Sequence, residues 1–292
     1  MSEFMRWEDI QRASDAWRIA EGANGSAYDE FRNKFLPLPD WFVSDLDPFS
    51  DEYVAQQDRL WRDMVGEEGV YDPFVHELVA DTHIDPVIRP GLYNSSTEVA
   101  GNHLIALGHI VQRSKASAGS RVLEYGAGFG QIAVTFARLR CEVHTVDIDE
   151  VFCESVRKQA DFFGLDLTPH RNEFGFNPGG TFDLIIFYEC FHHARNFAAV
   201  IPQLFSMLNK GGRVILAGEP VCRAPEGEPW IPFPWGLRLD AEVAAITRFR
   251  KWYELGFRQD FLVAAFDRHG FDYQYHPCHL TRYGDIHEFW KA

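Results

Sequence analysis

Positive charge is scarce in this chain. Twenty-eight Lys and Arg face 43 Asp and Glu, giving a formal net charge of −15. Holding nucleic acid takes a basic surface that neutralises phosphates, so the deficit argues against a nucleic-acid partner and against attachment to an anionic membrane surface. Long apolar runs are missing as well. None approaches the ~20 residues of a membrane-crossing helix, and no membrane insertion is expected. Cysteine offers no paired spacing: the five residues Cys141, Cys153, Cys190, Cys222 and Cys278 are odd in number, which predicts a reducing, cytoplasmic setting. The N-terminal stretch Met1 to Asp9 mixes acids with aromatics and predicts no signal peptide. The histidine pairs His76/His83, His192/His193 and His276/His279 lack a compact His-x-x-x-His spacing, and adjacent histidines on an extended segment point apart. No metal is expected.

Apolar residues make up 46% of the 292 positions, ample for a globular core in one large domain or a domain with an elaborated end. The organising stretch is Glu124-Tyr125-Gly126-Ala127-Gly128-Phe129-Gly130. It follows a short apolar run from Arg121 and opens a helical pattern from Gln131 to Leu139. A strand, a glycine-rich turn and a helix form the unit that holds a nucleotide-like ligand at the carboxyl end of a first strand. Glycine lets the backbone take positive φ and approach a ligand that a Cβ would exclude. Glu124 would repel a pyrophosphate and suits a cationic ligand better.

Residues 1 to about 115 precede this unit and are expected to form a mainly helical extension or cap. Ser50-Asp51-Glu52 reads as an N-cap with an acidic first turn; Tyr53, Val54, Leu60, Trp61, Met64 and Val65 recur at helical spacing, and Gly66 ends the helix. Pro37, Pro39, Pro48, Pro73, Pro86 and Pro90 punctuate the region. A hydroxyl cap within Ser95-Ser96-Thr97 starts a helix to Arg113 with Val99, His103, Ala106, Leu107 and Ile110 on one side. From 116 the pattern alternates strand and helix as a doubly wound parallel sheet does. Strands are expected at 121–125, 142–147, 165–170, 182–188 and 213–218. A helix carrying Val151, Phe152, Val156 and Ala160 inward follows the second strand, and helix 196–208 ends at Lys210-Gly211-Gly212. An inserted loop rich in proline occupies about 220–255. A helix near 257–269 and strands near 271–276 and 286–291 close the chain.

The acid-x-Gly-x-Gly-x-Gly signature after a strand resembles that of class I S-adenosylmethionine (SAM) dependent methyltransferases, and the order of elements over 119–220 is similar throughout. The resemblance implies a Rossmann-like seven-stranded α/β fold with an antiparallel last strand. It also implies SAM as cofactor, with Glu124, Tyr125, Gly126, Gly128, Asp147, Ile148, Glu173, Phe174 and Glu189 at its site. Asp147, nineteen residues beyond Gly128, suits a ribose diol. Asn172-Glu173-Phe174 stands where the family faces adenine with an acid, usually Asp, and an apolar neighbour. Glu189 is read as facing the SAM amino group or pairing with a crevice cation.

Strand 182–188 runs into Glu189-Cys190-Phe191-His192-His193. Methyl transfer to a hydroxyl needs a base, and histidine has a suitable ordinary pKa. A His-His pair here resembles that of several sugar and natural-product O-methyltransferases. His193 is favoured over His192 as base, with Glu219 as the orienting carboxylate. The bland reading keeps both histidines for packing and Glu219 as a solvated loop acid. Trp230, Phe233, Trp235 and Arg238 suit a sugar face and an anionic group, or else form a rigid lid on the core. Tyr188 to His193, Ala217 to Pro220, Pro234 to Asp240 and Glu254 to Phe257 resemble a bacterial methyltransferase group found beside, or fused to, glycosyltransferases. This chain departs from that group at Ala127, where proline is common, and at Ala194-Arg195-Asn196. The expected function is transfer of a methyl group to a hydroxyl of a sugar or glycan-type acceptor. The alternatives are a natural-product O- or N-methyltransferase and a SAM-binding partner of a glycan-assembly complex without turnover.

Overall fold

The near-continuous apolar run Phe182–Tyr188 is the middle strand of a seven-stranded sheet, where burial on both faces calls for such a run. In the computed structural model, which describes residues 3–22, 28–78 and 96–292, the strands are β1 (Arg121–Tyr125), β2 (Glu142–Asp147), β3 (Leu167–Arg171), β4 (Phe182–Tyr188), β5 (Leu208–Ala217), β6 (Phe271–His276) and β7 (Ile286–Lys291). They lie in the order β6-β7-β5-β4-β1-β2-β3. β1 to β5 are parallel, and β7 runs antiparallel to both β5 and β6. The expected Rossmann-like α/β fold is therefore present. Strand order reverses between β1 and β4, and the carboxyl ends of such a pair open a ligand crevice.

Four helices accompany these strands: α1 (Thr97–Arg113), α2 (Gln131–Arg138), α3 (Glu150–Phe163) and α4 (Phe197–Met207). Ser96 caps α1 by accepting from the Val99 N–H, and Asp149 caps α3 through the Val151 N–H, each satisfying an orphan donor. Ile110, Val122, Phe136, Val143, Val156, Leu184, Ile186 and Ile215 meet in the buried core of this unit.

Three expectations shift. Val151 is 41% exposed, and α3 turns Cys153, Val156, Gln159 and Ala160 inward instead. β5 starts at Leu208 because Lys210-Gly211-Gly212 forms an irregularity within the strand, not the end of a helix; the partner of Leu208 is Phe182 and that of Arg213 is Leu184. Leu255–Arg258 is a strand before the helix Gln259–Asp267 begins.

The described chain divides into two compact units, Leu78–Glu219 with Val263–Ala292, and Met1–Glu77 with Pro220–Leu262. This corrects the expected boundary near 115: α1 belongs with the nucleotide-type fold, and the inserted segment joins the first 77 residues. The second unit has a three-stranded sheet of Val221–Cys222, Leu255–Arg258 and Trp235–Leu237 and helices Ile10–Gly22, Asp51–Val65 and Ala241–Arg250. Its two chain segments are tied by the Leu36 N–H to Leu239 carbonyl bond at 2.7 Å and by Gln57 Oε1, which accepts from the Leu237 N–H at 3.0 Å. Ser50 and Gly66 bound helix Asp51–Val65 as expected, but Gln56 and Gln57 take buried positions and Val54 does not. Pro86, Pro90, His83 and Ser95 lie outside the described residues. Among the described residues no helix is long and apolar enough to cross a membrane.

Candidate active site

The turn after β1 is built from glycines in left-handed conformations, Gly126 at φ 59° and Gly128 at φ 52°. Gly126 has no room for a side chain: a Cβ there would meet Cys190 Cβ and Sγ at 2.7 Å. The turn from β1 thus packs directly on the segment that leaves β4. The Gly128 N–H donates to Asp147 Oδ2 at 2.9 Å, and the Asp149 N–H donates to Oδ1 at 3.0 Å. Burial pushes the Asp147 carboxyl up to about 6 against those bonds. Glu124 is 3% exposed and its Oε2 accepts the Ala133 N–H at 2.8 Å in the first turn of α2. Burial, helped by the nearby Asp147 and opposed by that single backbone donor, pushes its carboxyl up to about 8.

A cavity of about 240 Å³ opens at this turn, lined by Glu124, Gly126 and Ala127, by His103 and Leu107 of α1, and by Gln131 and Tyr188. Among the described residues lining it there is a buried acid and no Lys or Arg, the character of a cation site. On the side expected to face adenine, Phe174 is half-buried and set edge-on to Tyr125, while the Glu173 side chain is exposed. Ile148 is half-buried beside Asp147. The Tyr125 side chain is fully buried, stacks on Phe187, and donates its hydroxyl to the Phe176 carbonyl at 2.7 Å. Its side chain anchors the loop that carries Phe174.

At the end of β4 the backbone of Glu189 is left-handed, φ 50°, which is uncommon for a residue with a side chain. Gly218 makes room for it, since a Cβ there would meet Glu189 Cγ at 2.7 Å. The Glu189 carboxylate lies 3.5 Å from His103 Nδ1, which is 2.6 Å from the Tyr188 hydroxyl, and Tyr283 stacks on the His103 ring. Burial pushes the Glu189 carboxyl up to about 7, with His192 pulling it down and Glu219 pushing it further up.

Glu219, the last residue before the chain enters the other unit, organises the histidines. Its Oε1 accepts the Cys190 N–H at 3.0 Å and the Phe191 N–H at 2.9 Å; its Oε2 accepts the His192 N–H at 3.1 Å and lies 2.7 Å from His192 Nδ1. Burial alone would raise this carboxyl, but the His192 charge and these bonds outweigh it and hold it below the usual carboxylate range. An ionised carboxylate only accepts, so His192 carries a hydrogen on Nδ1. The His193 ring lies against that of His192, with centroids 4.3 Å apart.

The structure thus gathers Glu124, Asp147, Glu189, His192 and Glu219 at the carboxyl edge of one sheet. Trp230, Trp235 and Arg238 belong to the other unit. Trp235 is corrected from an acceptor contact to a core residue, 1% exposed, packed on Tyr53 and donating to the Pro48 carbonyl. Trp230 donates to Glu228, and Arg238 pairs with Asp240 while standing over the Trp230 ring. The sequence reading missed Tyr188 and Gln131 as cavity walls. The signal was a polar tip on an apolar strand and the first helical position after the glycines.

A methyltransferase-domain family model matches residues 103–274. Protein-L-isoaspartate O-methyltransferase 2 of Shewanella sediminis is 33% identical over 99 residues, 33% of this chain and 38% of that protein. Protein-L-isoaspartate O-methyltransferase 1 of Rhodopseudomonas palustris is 25% identical over 187 residues, 58% of this chain and 73% of that protein. The match thus spans well under half of the Shewanella protein's length. Among solved structures, the YcgJ protein from Bacillus subtilis superposes with a TM-score of 0.50 at 21% identity, over 60% of this chain and 71% of that one. That likeness is one of fold. With the family match covering more than half of its length, the chain belongs to the methyltransferase-domain family, and its buried acids at a glycine turn suit that family's cationic cofactor, S-adenosylmethionine.

Proposed function

We propose that this enzyme methylates a hydroxyl of a sugar or glycan-type acceptor, with His192 as general base. The observation that carries the reading is the 2.7 Å contact between His192 Nδ1 and a Glu219 carboxylate that also takes three backbone N–H bonds. When bound, SAM supplies an electrophilic methyl group. The glycine turn, Glu124, Asp147 and Phe174 are the residues that would hold it. His192 Nε2 takes the hydroxyl proton, and Glu219 fixes the tautomer and stabilises the imidazolium that forms. The sequence favoured His193; the bond between the Glu219 carboxylate and His192 supports His192 in that role. Several observations support the acceptor class: the acidic charge, which disfavours nucleic acid, and the motifs shared with the glycosyltransferase-associated group. The two relatives are named protein-L-isoaspartate O-methyltransferases, which supports oxygen as the atom methylated but not a sugar as the acceptor. Five free cysteines support a cytoplasmic setting.

The test is transfer from methyl-labelled SAM to a panel of glycosides and sugar nucleotides by the purified full chain, followed by His192→Ala and His193→Ala on any acceptor that is labelled. Labelling of sugar hydroxyls, lost in His192→Ala, supports the reading. Labelling confined to amines, or a His192→Ala enzyme with unchanged kcat, overturns it.

A further inference from the structure

Helix α3 is capped by Asp149, two residues after Asp147, and its inner face backs onto the glycine turn. Phe152, Val156 and Gln159 are spaced so that they share that face, and each meets the turn. The Phe152 ring stands edge-on to Phe129 with centroids 5.0 Å apart. Val156 fills the place of a side chain at Gly130, where a Cβ would meet its Cγ2 at 2.7 Å. Gln159 is 3% exposed; its Nε2 donates to the Phe129 carbonyl at 2.7 Å and lies 3.4 Å from the Ser155 carbonyl of its own helix. Phe129 stands at the junction of the turn and α2. Gly130, the N-cap of α2, has no side chain to satisfy the first N–H groups, and the Ala133 N–H goes to Glu124 instead. The junction thus has a donor held from β1 and an acceptor held from α3. The turn between is soft: Gly126, Gly128 and Gly130 are left-handed, at φ 59°, 52° and 74°, and glycine loses the most freedom when fixed.

We propose that Gln159 is a positioning residue for the cofactor: by holding the Phe129 carbonyl it keeps the glycine turn in its binding shape before any ligand arrives. This rests on the reading of the glycine turn as the cofactor's cradle and adds the group that braces it from behind. Gln159 acts through Phe129, not by touching the ligand. A turn of three glycines that is free to sample other conformations presents the right one for part of the time, and affinity falls by that fraction. SAM and S-adenosylhomocysteine would rest on the same turn, so losing the brace should weaken both by the same factor.

Gln159→Met keeps the length of the side chain and removes the donor. Calorimetry on the full chain should show S-adenosylhomocysteine and SAM both bound roughly tenfold more weakly, as a lost buried hydrogen bond gives. In the ligand-free variant labelled with ¹⁵N, the amide signals of Gly126, Gly128 and Gly130 should shift or broaden while those of β4 and β5 stay in place. Ile215→Val is the control: it loosens the core of the same unit and should leave both affinities and the glycine signals as in the wild type. The wild-type chain separates the two readings. If S-adenosylhomocysteine leaves its glycine amide signals unmoved, the turn is not the cofactor's cradle and that reading fails. If the ligand moves them, yet Gln159→Met binds as tightly as the wild type, the proposal is overturned. An equal loss of affinity in Ile215→Val overturns it as well, since general loosening would then account for the effect. One measurement needs no variant: in the ligand-free wild type the Gln159 side-chain amide protons should exchange slowly with solvent, and exchange at the rate of a solvated glutamine contradicts the brace.

Discussion

Glu124 and Glu219 are both buried carboxyl groups at the carboxyl edge of the same parallel sheet, yet the surroundings of one favour its neutral form and those of the other its anion. Glu124 ends one arm of the crevice with a single backbone donor and a neighbouring acid, and its carboxyl is pushed up to about 8. Glu219 ends the other with three backbone donors and a histidine, and is held below the usual range although equally enclosed. Burial raises both; what separates them is the neighbouring charge, His192 beside Glu219 and Asp147 beside Glu124, together with the donors aimed at each group. The contrast sets a buried carboxyl beside a like charge against a carboxylate bonded to an imidazole.

The largest effect should come from cutting the Glu219 side at its histidine. His192→Ala is expected to lower kcat by roughly 10²–10⁴-fold while SAM affinity, measured by calorimetry, changes little, because a proton transfer made only in the transition state leaves ground-state cofactor binding alone. His193→Ala should cost much less. Next comes the anion itself. Glu219→Ala strands three backbone donors and an imidazole in a buried site and should destabilise by about 3–5 kcal/mol in denaturant unfolding. Glu219→Gln should be milder, since an amide oxygen still accepts. If Glu124→Gln proved as damaging as Glu219→Ala, the contrast between the two would fail.

How much of this was legible beforehand divides along physical lines. β1 and β2, the glycine turn and α1 were readable because their signals are local: an apolar run, a cap, glycines at fixed spacing. β6 and β7 were placed within a residue for the same reason. The unit formed by Met1–Glu77 with Pro220–Leu262 was not, because its sheet and its Gln57–Leu237 bond join segments far apart in sequence. Trp235 looked like a ligand contact since an aromatic among prolines reads the same whether it faces solvent or core. Which of the adjacent rings, His192 or His193, meets Glu219, 27 residues away from His192, leaves no sign in the sequence.

Smaller effects sharpen the cofactor side. Asp147→Asn should weaken SAM by about 1–3 kcal/mol through lost charge-assisted hydrogen bonding, read as roughly tenfold or more in Kd. It should also draw Glu124 down from about 8 by removing a like charge, and an unchanged Glu124 would show that burial acts alone. The smallest expected effect is on the empty protein. A carboxyl whose folded pKa is raised favours folding below its unfolded value of about 4.3, and that contribution is lost as pH rises toward the folded value. Stability of the ligand-free chain should therefore decline between about pH 4.5 and 8, and Glu124→Gln should flatten part of that decline in thermal melts, with Asp147 and Glu189 carrying the rest. Glu219 acts in the opposite sense, supporting the fold above its unfolded pKa and losing that support in acid.

The charge states themselves are the most direct test. In the ligand-free protein labelled with ¹³C at the glutamate carboxyls, with Glu124→Gln and Glu219→Gln used to assign the two signals, the carboxyl shifts would be followed from pH 5 to 9. The account predicts a Glu219 signal that stays at the ionised position throughout, and a Glu124 signal that moves from the protonated to the ionised position with a midpoint near 8. A Glu219 that titrates near neutral pH, or a Glu124 already ionised at pH 5, would contradict it.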